Sequence, residues 1–167
     1  MKKSIFKLFS FVLSLLFFSN LHAQEAVSIT ASATVLEISE IELVTIKEMN
    51  VDGSFAENGI VNISPVTDMN AGELLVKGRA NAQMRITSPN QTVLVNTSGQ
   101  GTLIFYYVLS GFWSDNKQAS EILNAPDRIL QFNEEGQYYL WVGGRVDINN
   151  ARPGNYEGEF ILEIEYI

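Results

Sequence analysis

From Tyr156 to Tyr166 the chain alternates: Tyr156, Gly158, Phe160, Leu162, Ile164 and Tyr166 are interleaved with Glu157, Glu159, Glu163 and Glu165. A period of two is the signature of a half-buried β-strand, with one apolar and one acidic face. Pro153-Gly154 marks a turn just before it. A strand of this kind needs ladder partners on its edges and a second layer over its apolar face. The fold class is thereby narrowed to one built on antiparallel sheets.

The rest of the sequence repeats the pattern in shorter pieces. Val27, Ile29, Ala31, Ala33 and Val35 alternate with Ser28, Thr30, Ser32 and Thr34, which predicts a first strand. Further strands are expected over 41–46, 59–63, 72–77, 82–87, 92–95 and 102–109, with turns at Asp52-Gly53 and Ser88-Pro89-Asn90. Segment 128–132 leads through Asn133-Glu134-Glu135-Gly136 into 138–142, which reads as a hairpin. Gly143-Gly144 then interrupts that strand, as a bulge or a close backbone crossing, before 145–148 resumes it. Ser114 to Asn124 is a polar excursion with room for one helical turn. Short strands at this spacing predict an all-β, antiparallel sandwich forming one domain over residues 24–167.

The N-terminus has the layout of an export signal. Lys2, Lys3 and Lys7 precede an apolar run over 8–18, and Leu21-His22-Ala23 resembles a cleavage site. The run is too short for a membrane anchor, so no membrane span is expected after cleavage. Removing 23 of the 167 residues leaves 8 basic residues against 19 acidic ones, a net charge of −11. Such a surface repels phosphate backbones, which argues against nucleic-acid binding. The expected location is outside the cytoplasm: periplasm, cell surface or medium.

What the chain lacks narrows its chemistry. It has no cysteine, and its one histidine, His22, falls within the export signal. Histidine-based triads, thiol dyads and Cys/His zinc sites are then unavailable to the mature chain. Glu157 with Glu159, or Glu163 with Glu165, would stand about 6.5–7 Å apart on one strand face, but a solvated face shelters no catalytic pair. Ser114-Asp115-Asn116 matches a β-lactamase triplet without its companion motifs, and a polar loop with a helix N-cap explains it better. Asp147, Asn149 and Asn150 lack the remaining calcium ligands and read as turn residues. Gly99 and Gly101 do not extend into a phosphate-binding loop. We expect no catalytic residues, no metal and no cofactor. Phe112 and Trp113, beside the polar excursion, are the candidate ligand-binding pair, as an exposed platform on which a sugar could stack.

Tyr139-Leu-Trp-Val-Gly-Gly144, Arg145-Val-Asp-Ile148, Pro153-Gly-Asn-Tyr-Glu-Gly158 and Phe160-Ile-Leu-Glu-Ile-Glu-Tyr166 together resemble a domain-of-unknown-function family of secreted bacterial β-sandwiches. Its members close with a Val-Gly-Gly strand, a Pro-Ala-Gly-x-Tyr-x-Gly turn and an alternating strand. Arg152-Pro153-Gly154 departs from the Pro-Ala-Gly order, and Met49-Asn50-Val51-Asp52-Gly53 matches the upstream motif more loosely. The resemblance implies an immunoglobulin-like sandwich and no established activity. That family is similar in turn to spore-coat-U-like and pilin-like domains. Pilin C-terminal strands carry a penultimate tyrosine and a glycine fourteenth from the end, places held here by Tyr166 and Gly154.

Two roles are therefore expected, both non-enzymatic. In the first, the protein is a structural or adhesive pilin-like subunit. Val27, Ile29, Ala31, Ala33 and Val35 form a donor strand for a neighbouring subunit. Gly154, Tyr156, Gly158, Phe160, Leu162, Ile164 and Tyr166 form an assembly strand that an export chaperone could also engage. In the second, a monomeric sandwich binds a glycan or protein through loops near Phe112 and Trp113.

Overall fold

The computed structural model describes residues 26–28, 40–123 and 127–167. Its strands are β1 (Ala26–Ser28), β2 (Glu42–Lys47), β3 (Asn50–Asp52), β4 (Ile60–Ile63), β5 (Gly72–Lys77), β6 (Gln83–Thr87) and β7 (Gln91–Asn96). They continue with β8 (Thr102–Phe112), β9 (Glu121–Ile122), β10 (Asp127–Gln131), β11 (Gln137–Asp147), β12 (Tyr156–Glu157) and β13 (Glu163–Tyr166). All pairings are antiparallel. The larger sheet runs β12-β7-β8-β11-β5-β2, with β4 beside β11 and β9 beside β8; the smaller runs β10-β6-β13. The expected all-β sandwich is what forms.

The core lies between the sheets. Leu103, Phe105 and Leu109 of β8 and Leu140, Val142 and Val146 of β11 meet Met84 and Ile86 of β6. Phe160, Leu162 and Ile164 complete this layer and are fully buried. Burying each such side chain contributes about 1.5–3 kcal/mol, and with no disulfide available the fold depends on this burial.

The C-terminal alternation is real, but it is not one strand. Tyr156 and Glu157 pair with Asn96 and Val95 in the larger sheet, whereas Glu163 to Tyr166 pair with Thr87 to Met84 in the smaller. Residues 158–162 cross between the sheets without a ladder. The reason lies in their neighbour: β6 and β7 belong to different sheets, and the C-terminal segment runs antiparallel beside both. Alternation survives because it follows from extended backbone, not from pairing. Tyr156, Phe160, Leu162 and Ile164 point inward, and all four glutamates outward.

Two further expectations change. β10 and β11 flank a tight turn but form no hairpin, since β10 pairs with β6 while β11 pairs with β4, β5 and β8. The turn joins the two layers instead. Gly143-Gly144 does not interrupt its strand: the β11–β8 register is unbroken from Tyr139↔Phe112 to Val146↔Phe105. On its other edge β11 passes from β5, ending at Val142↔Gly72, to β4, starting at Gly144↔Ile63. A Cβ on Gly143 would lie 2.3 Å from the Ile63 carbonyl oxygen, and one on Gly144 2.3 Å from that of Tyr106. The close-crossing alternative is therefore the right one.

Of the donor-strand candidates, Val27 lies in β1, whose register pairs it with Val51 of β3 in the same chain. Ile29, Ala31, Ala33 and Val35 lie outside the described residues.

Candidate ligand-binding site

Phe112 is the last residue of β8, and Trp113 follows as the chain leaves the sheet. Their rings pack against each other, tilted, with centroids 3.9 Å apart and an interplanar angle of 30°. Trp113 is 58% exposed, large for an aromatic of its size, while Phe112 beneath it is half-buried. Opposite Phe112 in the ladder stands Tyr139 of β11, whose ring stacks on Trp141 at 6.2 Å. Residues directly opposite on paired strands share a face. Four aromatics thus converge at one end of the larger sheet's outer surface.

Beside them opens a cleft of about 440 Å³, walled by Ser114, Asp115, Asn133, Glu134, Glu135, Gln137 and Tyr139. Asn133 organises it. Its side-chain oxygen accepts from the backbone N–H groups of Glu135 (3.0 Å) and Gln137 (2.7 Å), which sets the turn carrying both glutamates. Its amide nitrogen donates to the Trp113 carbonyl at 2.8 Å, tying that turn to the aromatic platform. Gly136 allows the turn: its φ is 72°, and a Cβ there would meet the Gly78 carbonyl oxygen at 2.1 Å.

The other wall is the predicted polar excursion. It holds a single 3₁₀ turn over Lys117–Ala119, with Asn116 as its N-cap accepting from the Ala119 N–H. Ser120 bonds to Ser110 Oγ at 2.9 Å and to the Lys117 carbonyl at 2.6 Å, and Lys117 Nζ donates to the Asp68 carbonyl. These bonds fasten the loop to Asp68 and to Ser110, the ladder partner of the buried Trp141.

Charge is concentrated here. Burial, and then the Asp115 carboxylate, push Glu73 above the usual carboxylate range, against Trp141, Lys117 and Lys47. Burial, followed by Asp115, Glu135 and Glu73, raises the Tyr139 phenol. Lys117 is lowered by burial and by Lys47, with Asp68 and Glu73 opposing. The cleft therefore offers an apolar ring surface rimmed by hydrogen-bond acceptors. That chemistry suits a polyhydroxylated ligand: C–H faces stack on the rings, and hydroxyls donate to carboxylates and amides.

The assembly-strand candidates are mostly core. Tyr156 is buried, and its hydroxyl accepts from the Arg152 N–H at 3.0 Å and donates to the Arg152 carbonyl at 2.9 Å. Gly154 packs on Asn96, where a Cβ would come within 2.7 Å of the amide nitrogen; Gly158 packs on Leu94. Tyr166 accepts from the Arg79 N–H at 2.7 Å, and the Arg79 guanidinium lies 4.2 Å from its ring centroid. Phe112 and Trp113 are brought together as a platform, far in sequence from Asn133, Glu134, Glu135, Gln137 and Tyr139. Those five, with Asp115, were legible only as turn, loop or strand residues.

No curated protein and no solved structure matches the chain. A family model described as "Domain of unknown function (DUF4402)" matches residues 34–166, nearly the whole described sandwich. The match spans most of the sequence, and the chain belongs to that family.

Proposed function

We propose that this protein is an exported, non-enzymatic adhesive β-sandwich that holds a glycan in the cleft beside Trp113. The observation that carries the reading is the exposed Trp113, packed on Phe112, standing next to a carboxylate- and amide-lined cleft. Exposing an indole to water has a cost that a stacked sugar ring removes, and the acceptors give orientation. The test is retention on immobilised polysaccharides. Trp113→Ala should abolish it while leaving the thermal unfolding midpoint unchanged. Wild-type protein that passes through a broad panel of neutral and basic glycans would refute the reading.

A second reading is pilin-like assembly of an immunoglobulin-like subunit by strand addition. It draws support from β13, which pairs only with β6 among the described residues, and from the unladdered stretch 158–162 beside it. Residues 24–38 would be the donor. A peptide of that sequence should then rescue a chain lacking it. A truncated chain that folds unaided, as a stable monomer, would remove this reading.

A further inference from the structure

The outer face of β7 and β8 is apolar where the outer face of a sandwich is normally polar. Val93 and Val95 of β7, Ile104, Tyr106 and Val108 of β8 and Ile122 of β9 are all exposed, from 37% at Val108 and Ile122 to 54% at Val93. The register places them side by side: Val93 opposite Ile104, Gln91 opposite Tyr106, Val95 opposite Thr102, and Ile122 opposite Ser110. Among the described residues β7 and β8 carry no charged side chain; charge begins in the neighbouring lanes and at Glu121, the exposed residue beside Ile122 in β9. Glu157 stands opposite Val95 on one side, and Arg145 opposite Tyr106 on the other, with Asp147 farther along β11. β8 itself reads Leu-Ile-Phe-Tyr-Tyr-Val-Leu over 103–109, a continuous apolar run. Such runs belong to strands covered on both faces. Among the described residues, the core covers one face of this strand, while Ile104, Tyr106 and Val108 on the other stay exposed.

We propose that this face seats a second copy of the chain, packed sheet against sheet about a two-fold axis. Three considerations select that occupant. A flat, extended apolar strip is complementary to itself, and face-to-face sheets pack about 10 Å apart with interdigitating side chains. A chain this acidic repels its own copies over most of its surface, so a second copy can approach only on a strip without carboxylates. The size also fits. From Thr102 to Ser110 at about 3.3 Å per residue, across two to three lanes at about 4.8 Å, the strip covers roughly 300–400 Å². That is the scale of a functional apolar patch and about half of what each partner buries in a standard stable interface. The pair is therefore weak, with a dissociation constant in the micromolar range or above. It presents two copies of the Trp113 cleft to one surface, which is how weak sites gain avidity.

The inference stands whether or not the cleft binds a glycan, because its readout is mass. In sedimentation velocity the purified protein should pass from monomer to dimer as concentration rises from low micromolar towards millimolar. Tyr106→Lys and Ile104→Lys place an unpaired cation at the centre of the buried strip and should weaken pairing at least about tenfold. Both side chains point outward, so the unfolding midpoint should hold; Val93→Lys provides a second site if one variant misfolds. The absence of native cysteine permits a direct positional test. Treated with a bismaleimide long enough to span the gap of about 10 Å between facing sheets, Tyr106→Cys should cross-link to its two-fold mate, while Ile129→Cys on the exposed face of β10 should not. A protein that stays monomeric throughout the range would overturn the proposal. So would a dimer unaffected by the three lysines, or one that cross-links equally through position 129.

Discussion

Asn133 is the residue on which the cleft depends most. It makes three side-chain hydrogen bonds, two holding its own turn and one reaching Trp113. Asn133→Ala should lower stability by about 1–2 kcal/mol, measured by urea unfolding, and loosen the Trp113 loop, seen as a red-shifted tryptophan emission. Asn133→Asp keeps the turn acceptor but loses the donor to Trp113, so it should recover most of the stability and little of the emission. Glu73 makes a prediction about pH. Its folded-state value is raised, chiefly by burial, so the folded state binds more protons than the unfolded one just above the ordinary glutamate range. Stability from this group therefore falls as pH rises through that window, and Glu73→Gln should remove that part of the slope. Equal slopes for both proteins between pH values around 4 and 7 would contradict the assignment. At this scale the sequence was only partly legible. Trp113 and Phe112 stood out because two large aromatics met a polar loop. Asn133 did not, because its bond to Trp113 spans 20 residues, and no periodicity reports a contact of that length.

The crossing from β12 to β13 is the element that shapes the edge of the sandwich. Its inward and outward residues should respond very differently to truncation. Phe160 is fully buried and packs on Tyr107 at 4.4 Å, so Phe160→Ala should cost about 3–5 kcal/mol. Ile161, next to it and 46% exposed, should cost well under about 1 kcal/mol in the same denaturation experiment. Similar losses at both positions would mean that the crossing segment does not hold the alternation described. At the other end of the core, Gly143→Ala drives a methyl into the Ile63 carbonyl, and neither strand can yield without losing ladder bonds. A fall of at least about 2 kcal/mol is expected. The presence of both elements could be read from period and composition. Their partners could not: the strict alternation of 156–166 is the same whether one sheet or two receive it, and the Asn133–Gly136 turn looks alike within a hairpin and between layers.

For the molecule as a whole, charge and fold act on different ranges. The acidic surface opposes close approach of copies, and salt screens it over about 10 Å at moderate ionic strength. Self-association through the β7–β8 face should therefore strengthen as salt rises, whereas retention of an uncharged glycan by stacking and hydroxyl hydrogen bonds should change little. A dimer that dissociates with added salt would point to charge pairs instead of an apolar strip. By itself the sequence determined the all-β class, the dependence on core burial without disulfides, and the inward and outward identity of most strand residues. These follow from local periodicity and from which residue types are present. The tertiary structure alone decided which sheet each strand joined, that the alternating C-terminal segment splits into two strands serving different sheets, and that a turn and a loop 20 residues apart close on one cleft. It also left Ile104, Tyr106 and Val108 on the far side of β8 exposed. Pairing is a choice among edges that are locally equivalent, and only the packing of the complete chain resolves it.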